Sequence, residues 1–221
     1  MLAETLSSEK RAQILAGAAA VFASDGYEGA SMSRIAAEAG VSKGTLYNHF
    51  PSKAALFAAY VERQCERNLW PIFDGLDHAG DPAAVLRGIG LRMVQLFMSP
   101  IGVTIYRVVA SEAAKFPELA RTFYASGPEQ AIRHLAGWLA EETRRGRLTV
   151  PDAEFAADQF LALCQTRLGL RRRLLLLDEA PPDEVERVVD ASVAMFLRMY
   201  GGAPGFDADG PARLPVSDGL V

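Results

Sequence analysis

The chain has 221 residues, half of them hydrophobic, with 23 Lys and Arg against 27 Asp and Glu for a net charge of −4. That length is ample for one large helical unit or a small domain joined to a larger one, and the acidic balance argues against coating nucleic acid or anionic membrane by bulk charge. No apolar run approaches the roughly 20 residues that span a bilayer, and the first residues lack the pattern of a cleavable signal, so a soluble, cytoplasmic protein without a membrane partner is expected.

Helical periodicity dominates from Ser8 to about Tyr200, with residues 1–7 as an N-terminal arm, and no turn dipeptide flanked by alternating strands occurs. The expected fold class is all-α. Ile14, Ala18, Val21 and Phe22 share one face of a first helix that Asp25-Gly26 ends, since glycine tolerates the left-handed position there. Ser31 or Ser33 caps a second helix through Ile35, Ala36 and Ala39 that stops at Gly40. Ser42 caps a short third helix from Lys43 to about Phe50, closed by Pro51, with Leu46 and Phe50 four apart on one face. Ser52 caps a long fourth helix carrying Leu56, Phe57, Tyr60 and Val61 toward Pro71.

A loop over Asp77–Asp81 follows, and Asp81-Pro82 marks the next start because proline at the first helical position loses no hydrogen bond. Helices are expected near Val85–Met98, Ile101–Ala114 and Pro117–Arg145, the last kinked or divided at Gly127-Pro128. Two amphipathic helices close the pattern: Ala153, Ala157, Phe160, Cys164 and Leu168, then Val185 through Met199. Residues 201–221 are rich in Gly and Pro and read as a poorly ordered tail.

The segment from Ser31 to Phe50 has the form of a helix-turn-helix. Small residues Ala36, Ala37 and Ala39 let a neighbouring helix cross closely, and Ile35, Val41 and Leu46 supply a small core. With Leu46 and Phe50 inward, 100° per residue turns Gly44 and Asn48 outward and sets Thr45 and Tyr47 on the flanks. Gly44 lets the backbone approach a groove, Asn48 and Thr45 suit base edges or phosphates, and Tyr47 and His49 suit phosphate oxygens. Taken alone, Tyr47 also fits a packing role and His49 a polar end-cap. Between Ser31 and Lys53 the charges are Arg34, Lys43 and Lys53 against Glu38, a locally basic segment in an acidic chain.

The run Ile14–Phe22, Gly26-Tyr27, Ser33-Arg-Ile-Ala, Ala39-Gly-Val-Ser-Lys-Gly-Thr-Leu-Tyr-Asn-His-Phe50 and Ser52-Lys53 resembles the N-terminal domain of the TetR/AcrR family over about the first quarter of the chain. The resemblance implies a DNA-binding domain over 8–68, a ligand-binding and dimerisation domain over 69–200, and a transcriptional regulator, a repressor released by a small-molecule effector. It gives the third helix the recognition role, with Lys43, Gly44, Thr45, Tyr47, Asn48 and His49 on groove or backbone and Ser33 and Lys53 on flanking phosphate. Arg34 receives only a marginal contact. The Trp138 stretch, Phe155–Leu168 and Arg171-Arg-Arg-Leu-Leu resemble the AefR-like subgroup more loosely. Dimerisation through the last two helices, as is usual in that family, implies the faces of Phe160, Leu161, Val185, Val189, Ser192 and Phe196. The implied partners are operator DNA, a second copy and an effector. An activator, or a binding module on the same scaffold without DNA affinity, are the alternative readings.

An apolar effector cavity would draw on Trp70, Phe73, Met93, Phe97, Tyr106, Val109, Phe123, Tyr124, His134 and Trp138, residues that fit plain core equally well. Arg171–Arg173 read as a solvated helix end or as partners for Asp178, Glu179 and Asp183, with an anion site as the rarer reading. Cys65 and Cys164 have neither disulfide nor zinc spacing and are expected as buried free thiols. The histidines at 49, 78 and 134 form no metal-binding pair, and no nucleophile elbow or phosphate-cradling loop occurs, so neither enzyme chemistry nor a cofactor or metal is expected. Gly88-Ile-Gly90 is too isolated for a dinucleotide fingerprint.

Overall fold

A computed structural model describes residues 2–76 and 78–202, with side chains from residue 7 onward. The expected loop residue Asp77 and the expected tail beyond Gly202 lie outside the described residues. Eleven α-helices and a 3-10 turn account for the described elements.

Helix α1 (Leu2–Gly29) begins ahead of the expected Ser8, since residues 2–7 contain neither Gly nor Pro to stop it. Its regular geometry breaks at Gly26, whose φ of 69° is open to glycine and strained for other residues. Helix α2 (Met32–Glu38) starts where Ser31 Oγ accepts the Arg34 amide at 3.2 Å, which settles the choice between Ser31 and Ser33. Helix α3 (Lys43–His49) starts where Ser42 Oγ accepts from Thr45 at 3.0 Å, and α4 (Lys53–Asn68) where Ser52 Oγ accepts from Ala55 at 3.1 Å. Each cap satisfies an amide that the first helical turn leaves without a partner.

A 3-10 turn at Trp70–Ile72 absorbs Pro71, so α4 stops short of it. Helices α5 (Pro82–Met98), α6 (Pro100–Glu112), α7 (Pro117–Ser126) and α8 (Pro128–Arg144) all open on proline, and Gly127-Pro128 divides the expected long helix into α7 and α8. Helix α9 (Ala153–Leu163) ends before Leu168. The short α10 (Gly169–Arg173), flanked by left-handed Arg167 and Leu175, was not expected. Helix α11 (Pro182–Tyr200) is followed by Gly201, which bridges to Leu148.

Two apolar cores organise these helices. The first gathers Phe22, Ile35, Leu46, Phe50 and Phe57 from α1–α4 together with Ile105, Val108, Val109 and Leu119 from α6 and α7. The second gathers Leu86 and Ile89 of α5, Leu135 of α8, Phe160 of α9 and Phe196 of α11. Cys65, near the end of α4, packs against both. Among the described residues no single helix is long and apolar enough to cross a membrane; α5 and α6 pass only as a pair bent by 63°.

Candidate nucleic-acid interface and effector cavity

The helix-turn-helix is held from below by α1. Gly17 faces Ala39 so closely that a Cβ there would lie 2.7 Å from the Ala39 nitrogen, and Gln13 Nε2 donates to the Ala39 carbonyl at 2.6 Å. Gly40, at φ 63°, makes the turn into α3. Leu46 and Phe50 are buried in the first core, which fixes the rotation of α3 about its axis. The opposite side is bare: Gly44, Tyr47 and Asn48 are exposed, Tyr47 by 51%, and Lys43 is exposed at the first position of the helix. Thr45 and His49 are half-buried on the flanks, where the Thr45 hydroxyl lies 2.8 Å from Ser42 Oγ. Ser33 is exposed on α2, and Arg34 pairs with Asp25 at 2.6 Å, fastening α2 to the end of α1.

Lys53 departs from its expected place on phosphate. Its ammonium donates to the carbonyls of Tyr27 (2.6 Å), Glu28 (3.2 Å) and Ala30 (2.8 Å) and lies 4.5 Å from the Tyr27 ring centre. An ammonium has three donors, so all are engaged on the carbonyls that end α1. Burial lowers its pKa below the usual lysine value, opposed by the charges of Glu112 and Glu28. A cation that the sequence reading missed is Arg11, exposed and stacked 5.1 Å over the Phe50 ring at the end of α3. Its position shows only once α1 is laid across the end of α3.

Of the ten residues expected around an effector, Met93, Phe97, Tyr106 and Phe123 line one cavity of about 310 Å³, bounded by α4 through α10. Gln64, Cys65 and Asn68 of α4 complete that wall. The other six lie elsewhere. Val109 belongs to the first core because α6 turns it toward α1 and α4, and the exposed Trp70 and Tyr124 do not reach the cavity. Phe73, His134 and Trp138 line a separate open recess, where His134 stacks on Phe73 at 5.6 Å.

The expected dimer residues are likewise corrected. Phe160, Leu161, Val189, Ser192 and Phe196 are buried within one copy, and Val185 is half-buried against the same core. Phe160 and Phe196 pack edge to face at 5.4 Å, and the Ser192 hydroxyl is spent on the Val188 carbonyl at 2.7 Å. The outward face of these helices carries instead Phe155 (59% exposed), Met195 (57%) and Met199 (63%), and Ala191 and Ala194 of α11 are exposed as well. Cys65 and Cys164 are free thiols whose pKa values burial pushes up to about 11 and about 12, which makes them poor nucleophiles. No group of His, Cys, Asp and Glu among the described residues could hold a metal ion.

An all-helical chain that presents a bare short helix over a glycine turn, on a scaffold shared with a second helical unit, is a helix-turn-helix regulator by fold. Comparison with known proteins gives the family. Residues 14–60 match the model of bacterial regulatory proteins of the tetR family, and residues 84–202, over half the chain, match the AefR-like transcriptional repressor C-terminal domain. The chain belongs to the TetR family of transcriptional regulators. It is 34% identical to the flavonoid-responsive regulator FrrA, with a TM-score of 0.78 over 88% of this chain and 98% of that one. A TetR-family regulator from Mesorhizobium loti superposes with a TM-score of 0.81 at 29% identity, over the same shares of the two chains. The transcriptional activator FasR of Mycolicibacterium smegmatis is 47% identical over 58 residues, 26% of each chain. The repressor AcnR of Corynebacterium diphtheriae is 37% identical over 67 residues, 30% of this chain and 35% of that one. These matches to curated relatives thus span about a quarter to a third of the relatives' lengths.

Proposed function

We propose that this protein is a sequence-specific repressor that binds a partly palindromic operator as a homodimer and leaves it when a small molecule fills the cavity. The observation that carries the reading is the bare face of α3: Leu46 and Phe50 are locked into the core while Gly44, Tyr47 and Asn48 face outward. Asn48 and Thr45 read base edges, Lys43, Tyr47, His49 and Ser33 take phosphates, and Arg11 adds charge at the end of α3. Two such helices enter successive major grooves when half-sites stand about one helical turn apart.

The pairing surface is the outward face of α9 and α11, where Phe155, Met195 and Met199 leave apolar surface uncovered by their own chain. The lever is α4. Its first half is part of the DNA-binding core through Leu56, Phe57 and Val61, and its last turns offer Gln64, Cys65 and Asn68 to the cavity. A molecule that fits better when α4 is tilted shifts the spacing of the two α3 helices. Moving a population from 1:99 to 99:1 requires about 5.5 kcal/mol of differential binding. FrrA, similar over nearly its whole length, is flavonoid-responsive, which supports an aromatic effector here.

The matched relatives, aligned over 58 and 67 residues, include an activator as well as a repressor, so both signs of regulation occur among them. The test is a footprint on DNA upstream of the protein's own gene, repeated with the paired variant Tyr47→Ala and Asn48→Ala. A protected, dyad-related site that is lost in the variant supports the reading. Absence of any protected site overturns it in favour of a ligand-binding module.

A further inference from the structure

The cavity wall contains a charge that apolar packing does not call for. Arg173, the last residue of α10, is half-buried and lines the cavity with its guanidinium 5.0 Å over the ring of Tyr106. Its Nη1 donates to Gln165 Oε1 at 2.8 Å. Neighbouring arginines are occupied differently: Arg167 pairs with Glu184 at 3.2 Å, and Arg172 donates to the carbonyls of Met98 (3.1 Å) and Leu177 (3.3 Å). Among the described residues no carboxylate pairs with Arg173, although the exposed Asp158 also borders the cavity.

A guanidinium has five N–H donors. With one given to Gln165, the others have no hydrogen-bond partner among the described residues, and a neutral occupant that displaced water would leave them uncompensated. An acidic group would not. The aromatic ring and the amide already hold the guanidinium in place, so little freedom is lost when an anion docks. Gly169 keeps the corner open: a Cβ there would press within 3.1 Å of Gln165 Cβ. Beyond it the walls are apolar, with Met93, Phe97 and Phe123 facing the same space.

We propose that the effector is an amphipathic organic anion, with a flat aromatic or alkyl body between Met93, Phe97 and Phe123 and one carboxylate, sulfonate or acidic phenol on Arg173. The proposal rests on reading this cavity as the effector site. Two fluorescent probes separate the claims on the intact protein: 1-anilinonaphthalene-8-sulfonate and N-phenyl-1-naphthylamine, which share an aromatic body and differ by the sulfonate. The wild type is expected to bind the sulfonate roughly tenfold or more tightly than the uncharged probe, the value of a charge-assisted contact. Arg173→Gln abolishes that preference while the uncharged probe binds as before, and Arg173→Lys restores part of it.

Equal affinity of the wild type for the two probes overturns the anion claim and leaves the cavity standing. So does a parallel loss of both in Arg173→Gln, the mark of a merely structural arginine. Failure of both probes to bind, or undiminished binding of both to the cavity-filling Ile132→Trp, overturns the cavity reading itself.

Discussion

Lys43 and Lys53 stand ten residues apart, each opens a helix after a capping serine, and both suit a phosphate in the sequence. Lys43 is exposed at the first turn of α3, whereas Lys53 reaches back to three carbonyls at the end of α1. Lys43→Ala is therefore expected to weaken operator binding across all sequences and reduce the slope of log affinity against log salt by about one unit, with melting unchanged. Lys53→Met should do the reverse, costing about 1–3 kcal/mol in denaturant titration by stranding part-buried carbonyls, with the salt slope of the folded protein preserved. A lost unit of slope at unchanged stability in Lys53→Met would return that residue to the DNA. The serine caps were legible because their partners lie three residues away. The partners of Lys53 lie 23 to 26 residues back, beyond any local pattern.

At the scale of elements, the sequence marked helices wherever proline, glycine or a capping side chain punctuates them, and it missed α10, which is five residues long and bounded by non-glycine left-handed positions. It also missed the contact that seats α2. Gly17 reads as a weak point inside α1, yet its bare backbone is where Ala39 rests. Gly17→Ala should lose about 1–3 kcal/mol through overpacking, against the roughly 1 kcal/mol that helix propensity alone would gain. A more stable Gly17→Ala protein would show that the two helices part freely.

A second tie is buried Glu142 of α8, which takes His78 Nδ1 at 2.8 Å and pairs with Arg147, fastening the segment before α5 to the end of α8. Burial raises the Glu142 pKa, but the hydrogen bonds from Arg147 and His78 outweigh it and hold the carboxyl below its ordinary value. A carboxyl lowered on folding stabilises above its unfolded pKa, and that contribution fades as pH falls through the folded value. Glu142→Gln should thus be less stable near neutrality by about 3 kcal/mol, and its melting temperature should converge on the wild type as pH drops below the usual carboxylate range. Parallel curves across that range would assign the loss to shape instead of charge.

For the whole molecule, amphipathic phase tells which side of a helix is covered and is silent on what covers it. The strong apolar stripe of α11 was expected at a dimer interface, and it is filled from within by α5 and α9. What the fold leaves uncovered on α11 is the weaker, methionine- and alanine-bearing face, which looks like ordinary surface in a sequence. The cavity suffered from the same ambiguity, since Met93 and Phe97 border it while Trp138 is packed under His78. Two variants on α11, one inward and one outward, separate the faces. Phe196→Asp buries a charge in one copy's core and should abolish folding, seen as loss of the cooperative melt. Met195→Glu combined with Met199→Glu places like charges on the outward face of both partners, and should leave the fold intact while halving the mass in light scattering. Because the DNA reading depends on two recognition helices held at one spacing, that folded monomer should also lose most operator affinity. A double variant that keeps the dimer mass moves the interface off α11, and one that becomes monomeric yet binds operator as before removes the requirement for pairing.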